Sequence, residues 1–367
     1  MKIAIVHYWL LQMRGGEKVL EALLKIFPEA DIFTHVVDKS NLKGLLKEKK
    51  IHTTFISKLP YAKKFYKNYL PLMPMALESL DLSGYDLVIS SESGPSKGII
   101  TDPDAVHICY CHSPMRYLWD LHSSYSSEVG RLKRILMAPL LHYMRIWDVT
   151  SSSRVDYFIA NSSFISKRVE KFYRRQAEII HPPVSISDFT VSRNQRNFYL
   201  VVGQLVGYKK VDLAIKAFNK LGKKLIVIGE GEDYERLCKL AGPNVSMLGK
   251  QPFHVLKEHY SACKALIFPG IEDFGIVPIE AMASGRPVIA YKKGGAIDYV
   301  IHKKTGYFFN EQTVTSLANA VKEFELIDND FDSSFIVEHA RKFSDKNFSE
   351  RIKKFVNERV NIGDFRG

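Results

Sequence analysis

The residues between Ala265 and Tyr299, ALIFPGIEDFGIVPIEAMASGRPVIAYKKGGAIDY, have the types and spacing to handle a ligand that carries both hydroxyls and negative charge. Glu272 and Glu280 bracket Gly275 and Pro278, with Asp273, Phe274, Ile276 and Val277 between them. Ala265 to Pro269 and Pro287 to Tyr291 are short apolar runs of strand type, and Val277 to Ser284 has room for two helical turns. Pro278 suits a first turn, where its missing N–H costs nothing, and Gly285 before Arg286-Pro287 is a stop signal. A helix that starts after Gly275 turns free N–H groups and a positive dipole end toward whatever lies beyond the first strand, a natural place for a phosphate. Two acids so close to such a terminus, Glu272 in the loop and Glu280 in the expected first turn, suit hydroxyls rather than phosphates. Gly294-Gly295 after the second strand is expected to make a tight turn with exposed amides.

Cationic and glycine-rich loops recur at other strand ends. Phe198 to Val202 runs into Gly203-Gln204-Leu205-Val206-Gly207-Tyr208-Lys209-Lys210 and then a helical pattern, so that strand, glycine loop and helix with lysine at its mouth form a phosphate cradle. Leu225 to Ile228 enters Gly229-Glu230-Gly231-Glu232. Nearer the start, strand-like Ile3 to His7 leads to Gly15-Gly16 and a helix ending at Pro28, the opening unit of a doubly wound sheet whose double glycine lets backbone approach a ligand. His112 follows the strand-like run Val106 to Tyr110. That is the carboxyl edge, where open α/β sheets bind ligands.

These loops need elements to carry them, and the chain is long enough for two domains at 367 residues. Its 46% hydrophobic and 25% charged residues are ordinary for a globular protein. Apolar runs at Ile32 to Val37, Leu87 to Ser90, Tyr157 to Ala160 and Val245 to Leu248 alternate with helical segments, which indicates parallel α/β architecture. His181-Pro182-Pro183-Val184 and the polar stretch to Asn197 read as a linker. Domains are therefore expected at 1–184 and 185–343. Ser344 to Val360 carries Phe348, Ile352, Phe355 and Val356 at helical spacing.

A formal charge of +12 implies an anionic partner. No RNA-binding string, zinc-finger spacing or basic zipper points to nucleic acid. The four cysteines form no metal-type or disulfide pattern and are expected to be reduced and buried, as in a cytosolic chain. Lys2 to Val6 reads as a core strand, not a signal peptide, and no apolar run suggests a membrane span. Two basic amphipathic stretches fit either an anionic membrane surface or a core-packed helix with a solvated face. One has Lys58, Lys63, Lys64 and Lys67 among Tyr61, Phe65, Tyr66, Tyr69, Leu70, Leu72 and Met73. The other has Lys133, Arg134 and Arg145 among Leu136, Leu140, Leu141 and Met144. Asp102-Pro103-Asp104 fits a turn better than a metal site, and Asp328 to Asp332 lacks the glycine and the bidentate acid of a calcium loop.

The string E-D-F-G-I-V-P-I-E-A-M-A-S-G-R-P-V-I-A, from Glu272 on, resembles the E-x7-E signature of retaining glycosyltransferases of family 4, which have the GT-B fold. Cys111-His112-Ser113-Pro114-Met115-Arg116-Tyr117-Leu118-Trp119-Asp120 is similar to the family's H-S/T-P-x-R-Y motif, Gly203 to Lys209 to its G-R-L-x-x-x-K element, and Val227 to Gly231 to its V-I-G-x-G turn beside the nucleotide. The resemblance implies two Rossmann-like doubly wound domains facing a central cleft, with a C-terminal helix at about 344–367 crossing back to the first domain. It also implies hexose transfer from a nucleotide sugar to a hydroxyl, with retention at the anomeric carbon and without a metal cofactor.

On the same basis Lys209, the amides near Gly275 and the helix terminus at Val277 would meet the departing diphosphate. Glu272 and the amides after it would hold the sugar, and Glu280 the ribose. His112 would reach the sugar or the reacting centre, and Arg116 would touch the acceptor. Gln204 departs from the family, standing where arginine is commonest, so charge neutralisation would fall on Lys209 and the helix terminus. His-Ser-Pro-Met-Arg-Tyr together with the E-x7-E string looks like mannosyltransferases of O-antigen and polysaccharide assembly. That suggests GDP-mannose as donor, a polyprenyl-diphosphate-linked saccharide as acceptor, and peripheral attachment at the inner face of the cell membrane; the alternatives are a UDP-sugar donor on the same fold, and a non-catalytic sugar-nucleotide-binding scaffold, to which Gln204 gives slight support.

Overall fold

The computed structural model describes residues 1–119, 131–192 and 197–360; the side chains of 131–134 and 136 lie outside the description. Asp120 of the histidine motif and the Lys133, Arg134 and Leu136 side chains of the second basic stretch therefore fall outside it.

The chain divides into two units, Met1–His181 with Phe348–Gly367, and Pro182–Asn347. These limits differ by a few residues from the boundaries drawn at 184 and 344. In the first unit β1 (Ile3–His7), β2 (Asp31–Thr34), β3 (Ile51–Thr53), β4 (Leu87–Glu92), β5 (Val106–Cys111), β6 (Tyr157–Ala160) and β7 (Ala177–Ile179) form one sheet in the order β3-β2-β1-β4-β5-β6-β7. In the second, β8 (Tyr199–Val202), β9 (Leu225–Ile228), β10 (Val245–Gly249), β11 (Ala265–Phe268), β12 (Val288–Tyr291) and β13 (Gly306–Phe309) form a sheet in the order β10-β9-β8-β11-β12-β13. Every paired strand is parallel.

Parallel strands covered by helices on both faces need unbroken apolar runs, which is why β1, β9 and β11 are buried along their whole length. Strand order reverses between β1 and β4 in the first sheet and between β8 and β11 in the second. Crossovers leave such a switch point in opposite directions and open a crevice beyond the strand ends. Each sheet thus delivers two particular loops to its crevice: those after β1 and β4, and those after β8 and β11.

The first unit holds a buried ionic cluster. Lys97, with no exposed surface, contacts Glu92 Oε1 at 2.8 Å and also Asp148 Oδ1. Trp119 Nε1 and the Tyr173 hydroxyl donate to Asp148 Oδ2 at 2.8 and 3.0 Å, and Ser96 Oγ donates to Glu92 at 2.8 Å. Burial works against the lysine's charge, but Asp148 and Glu92 outweigh it and hold its pKa above the ordinary value. Glu92 closes β4, so this cluster braces the carboxyl end of that strand. In the helix Asp345–Val360, Phe348, Ile352, Phe355 and Val356 pack with Ile5, Leu87 and Ile108 in the first unit's core.

Two buried histidines make the first unit acid-sensitive. His35 lies between Thr54 Oγ1 and the Pro95 carbonyl, and His107 between Ser90 Oγ and the Arg154 carbonyl. Burial lowers both to about 4, against an ordinary value of about 6.5. Below pH about 6.5 the unfolded chain binds protons that the folded chain refuses, so stability falls as pH drops from there to about 4. Each histidine contributes at most about 1.4 kcal/mol per pH unit. Urea unfolding at pH 7 and pH 5 should show this loss, and His107→Gln should show a smaller one; equal losses would contradict the assignment.

Candidate active site

In the second unit, β11 ends at Phe268 and the chain turns through Gly270 to the loop Glu272–Gly275. Gly275, at φ +94°, caps the helix Ile276–Ala283, a conformation that leaves no room for a side chain: a Cβ there would stand 2.9 Å from the Tyr299 hydroxyl and from the Phe268 ring. The helix starts directly after Gly275, as expected, but Glu280 is its fifth residue, in the second turn rather than the first. Its Oε2 accepts a 2.7 Å hydrogen bond from the buried Tyr260 hydroxyl, which fixes the acid's direction. Phe274 is a core residue, edge-on to Tyr299, so what it offers a ligand is backbone. Asp273, Ile276 and Val277 are half-buried beside it.

Gly294-Gly295 differs from expectation. The Gly295 N–H donates to the Glu272 carbonyl at 2.9 Å, so it braces the acid's loop instead of facing a ligand. The contact is so close that a Cβ on Gly295 would lie 2.4 Å from Phe274 Cα.

Lys209 closes a short 3-10 turn, Gly207–Lys209, before the helix Val211–Leu221. Its Nζ stands 2.6 Å from Glu272 Oε1, with 16 and 18% of the two side chains exposed. That oxygen is buried and accepts no aligned hydrogen bond, so opposite charges touch while one acceptor remains unsatisfied. The two residues read separately from the sequence, one for phosphate and one for hydroxyls, are direct neighbours. Gln204 is exposed and Gly229 half-buried, in loops joined where Leu205 N donates to Glu230 O.

In the first unit, His112 follows β5, half-buried. Burial and then the neighbouring His7 lower its pKa to about 3, so it is neutral at pH 7. Its Nε2 lies 2.9 Å from Ser91 Oγ, and the same hydroxyl lies 3.0 Å from His7 Nδ1. Asn161 Nδ2 donates to the His112 carbonyl at 3.0 Å, and Arg168 holds the next turn through Ser113 Oγ at 2.6 Å and the Pro114 carbonyl. Arg116 sits half-buried in that turn. Gly15 and Gly16 open the helix Gly15–Ile26, and the close approach at Gly16 is to the Tyr8 hydroxyl, 2.4 Å from where a Cβ would stand.

Two family models match the two halves of the chain: Glycosyltransferase Family 4 at residues 13–188, and Glycosyl transferases group 1 at 185–357. The chain belongs to the family 4 glycosyltransferases. Its relatives include an uncharacterized glycosyltransferase of Methanocaldococcus jannaschii, 28% identical over 58% of this chain and 59% of that one. The O-antigen chain mannosyltransferase RfbU of Salmonella typhimurium is 30% identical over 40% of this chain and 45% of its own length. The matched stretches thus span less than two thirds of either relative. Among solved structures, Anabaena Alr3699/HepE in complex with UDP superposes with a TM-score of 0.71 at 17% identity, covering 98% of this chain and 100% of that one. The fold is GT-B.

Several acids and bases of this family member prove to be structural. Asp102 Oδ2 accepts from Gly84 N at 2.7 Å, tying two loops together, Asp328 pairs with Lys264 at 2.7 Å, and Asp332 caps the helix Ser333–Ala340. Arg145, read as part of a basic face, donates to the Leu118 carbonyl at 2.7 Å. The sequence marks Ser91 and Asn161 only as small polar ends of the runs from Leu87 and from Phe158, at the carboxyl edge where ligands bind, and gives them no partner. His7 and Arg168 were missed, since nothing in their neighbours marks them. The Glu272 loop gives a direct test: Gly295→Ala should lower stability by about 1–3 kcal/mol through overpacking. Gly207→Ala, whose Cβ would meet nothing within 4 Å, should leave the unfolding midpoint in place. Equal midpoints for the two variants would contradict the packing described.

Proposed function

We propose that this glycosyltransferase transfers mannose from GDP-mannose to a hydroxyl of a lipid-linked saccharide, with retention at the anomeric carbon, in the assembly of a cell-surface polysaccharide. The observation that carries the reading is the contact of Lys209 with Glu272 beside the open N-terminus of the helix Ile276–Ala283. A nucleotide sugar presents a diphosphate and a ring of hydroxyls side by side, and this pair offers one charge for each.

When donor enters, Lys209 and the free N–H groups of the helix take the diphosphate, and Glu272 turns its unsatisfied oxygen to the sugar hydroxyls. Glu280, aimed by Tyr260, accepts from the ribose. The bond from the anomeric carbon to the phosphate oxygen breaks, and its electron pair leaves on the diphosphate, whose charge Lys209 and the helix end stabilise. The acceptor oxygen attacks from the same face, and a phosphate oxygen of the leaving group takes its proton. Lys209 and the helix terminus supply the positive charge in this scheme, which is why it runs without a metal. His112, neutral, serves the donor sugar, and Arg116 the acceptor.

Mannose is favoured by the likeness to the O-antigen mannosyltransferase. A UDP-sugar is the second reading, favoured by the UDP bound to the structural neighbour HepE. Peripheral contact with an anionic membrane is supported by the first unit's surface near Lys63, Lys64 and Lys67, where Tyr61 is 78% exposed and Phe65, Leu72 and Met75 are also exposed. Among the described residues no helix is long and apolar enough to cross a membrane.

Calorimetric titration with GDP-mannose, UDP-glucose and UDP-N-acetylglucosamine in EDTA tests the donor and the metal-free scheme together. GDP-mannose should bind selectively, and Glu280→Ala should weaken it by about 1.5–3 kcal/mol, roughly 10- to 100-fold. Selective binding of a UDP-sugar would remove the mannose assignment, and no binding of any donor would overturn the proposed activity.

A further inference from the structure

Four side chains of the first unit stand in line. Glu17 Oε1 lies 3.8 Å from His7 Nε2, His7 Nδ1 lies 3.0 Å from Ser91 Oγ, and Ser91 Oγ lies 2.9 Å from His112 Nε2. Strand pairing builds the middle of the line: His7, closing β1, is in register with Ser91 of β4, and β4 pairs with β5, which His112 follows. Glu17 enters from the first turn of the helix Gly15–Ile26, its other oxygen accepting from Arg14 N at 2.9 Å. Glu17, His7 and Ser91 are all buried, and among the described residues His7 Nε2 has no hydrogen-bond partner. Among the described residues no hydrogen bond reaches the far end, Nδ1 of the half-buried His112.

A hydroxyl has one hydrogen, so Ser91 can donate to only one of the two ring nitrogens it meets and must accept from the other. With one proton on each ring, two arrangements satisfy that. If His7 carries its proton on Nδ1, the lone pair of Nε2 faces the Glu17 carboxylate, acceptor against acceptor in a buried place. If His7 carries it on Nε2, an N–H faces the carboxylate, Ser91 donates to His7 Nδ1, and His112 donates to Ser91 from Nε2. The second arrangement removes the repulsion, and its consequence travels to the open end: His112 Nδ1 is left as a bare lone pair.

We propose that Glu17, His7 and Ser91 are positioning residues that lock His112 in its Nε2–H tautomer, so that Nδ1 accepts a hydrogen bond from a hydroxyl of the transferred sugar. The sugar's part rests on the function proposed above; the tautomer does not. The lock is a specificity device, because a bare nitrogen welcomes a hydroxyl that can donate and rejects a group that can only accept.

Long-range 1H–15N correlation spectra of the histidine rings in the full chain, at neutral pH and without donor, test the lock. Wild type should show His112 protonated on Nε2 alone. Ser91→Ala should show both tautomers. In Glu17→Gln the amide can donate to His7 Nε2, and the relay should reverse, moving the His112 proton to Nδ1. A wild-type His112 protonated on Nδ1, or spectra of Ser91→Ala and Glu17→Gln identical to wild type, would overturn the proposal; if Ser91→Ala does not fold, wild type and Glu17→Gln carry the test. GDP-mannose or UDP-glucose should then shift the Nδ1 resonance. A correct tautomer whose Nδ1 responds to neither nucleotide sugar would refute the role given to His112 toward the donor and leave the lock standing.

Discussion

A lysine and a glutamate in contact, one held after β8 and the other after β11, are the constraint on which the second unit's construction converges. Neither loop alone would make a site. The reversal of strand order brings them side by side, and the Gly295 N–H ties the Glu272 carbonyl so that its backbone cannot drift. The pair is neither fully buried nor bathed in solvent. A fully buried pair would resist separation, and a fully exposed one would be screened. At the depth seen, the two charges neutralise each other, and the proposed donor would offer each another partner.

The first unit solves a different problem, holding an uncharged imidazole in one orientation. Lys97 with Glu92 and Asp148 braces the end of β4, Asn161 and Arg168 hold the loop after β5, and Ser91, itself in contact with His7, meets the ring. Each of these groups lies at the carboxyl end of a strand or in the helices and loops beyond it. The chemistry is therefore a consequence of strand order rather than of any local motif.

That difference explains what could be read in advance. The long apolar strands and the helix starts were legible because buried parallel strands are continuous hydrophobic runs and because glycine and proline punctuate helices. The short strands Ile51–Thr53, Ala177–Ile179 and Gly306–Phe309 were not anticipated, since runs of three or four residues are too short to carry a period. Among site residues, Glu272, Glu280, Lys209 and His112 were visible because their neighbours form extended strings. Ser91, His7 and Arg168 act across the sheet, and nothing in one dimension joins residues brought together by pairing β1, β4 and β5. Glu280 is the fifth residue of the helix Ile276–Ala283 and so lies in its second turn, where the Tyr260 hydroxyl meets it, a partner that no sequence pattern marks.

The central claim is that Lys209 exchanges Glu272 for a diphosphate. The most direct measurement is the affinity of GDP and UDP, which lack the sugar, for wild type and for Glu272→Gln. Removing the acid's charge should free Lys209 and tighten the nucleoside diphosphate that the chain prefers, while transfer from the nucleotide sugar is lost. Unchanged or weaker binding of both diphosphates by Glu272→Gln would contradict the exchange.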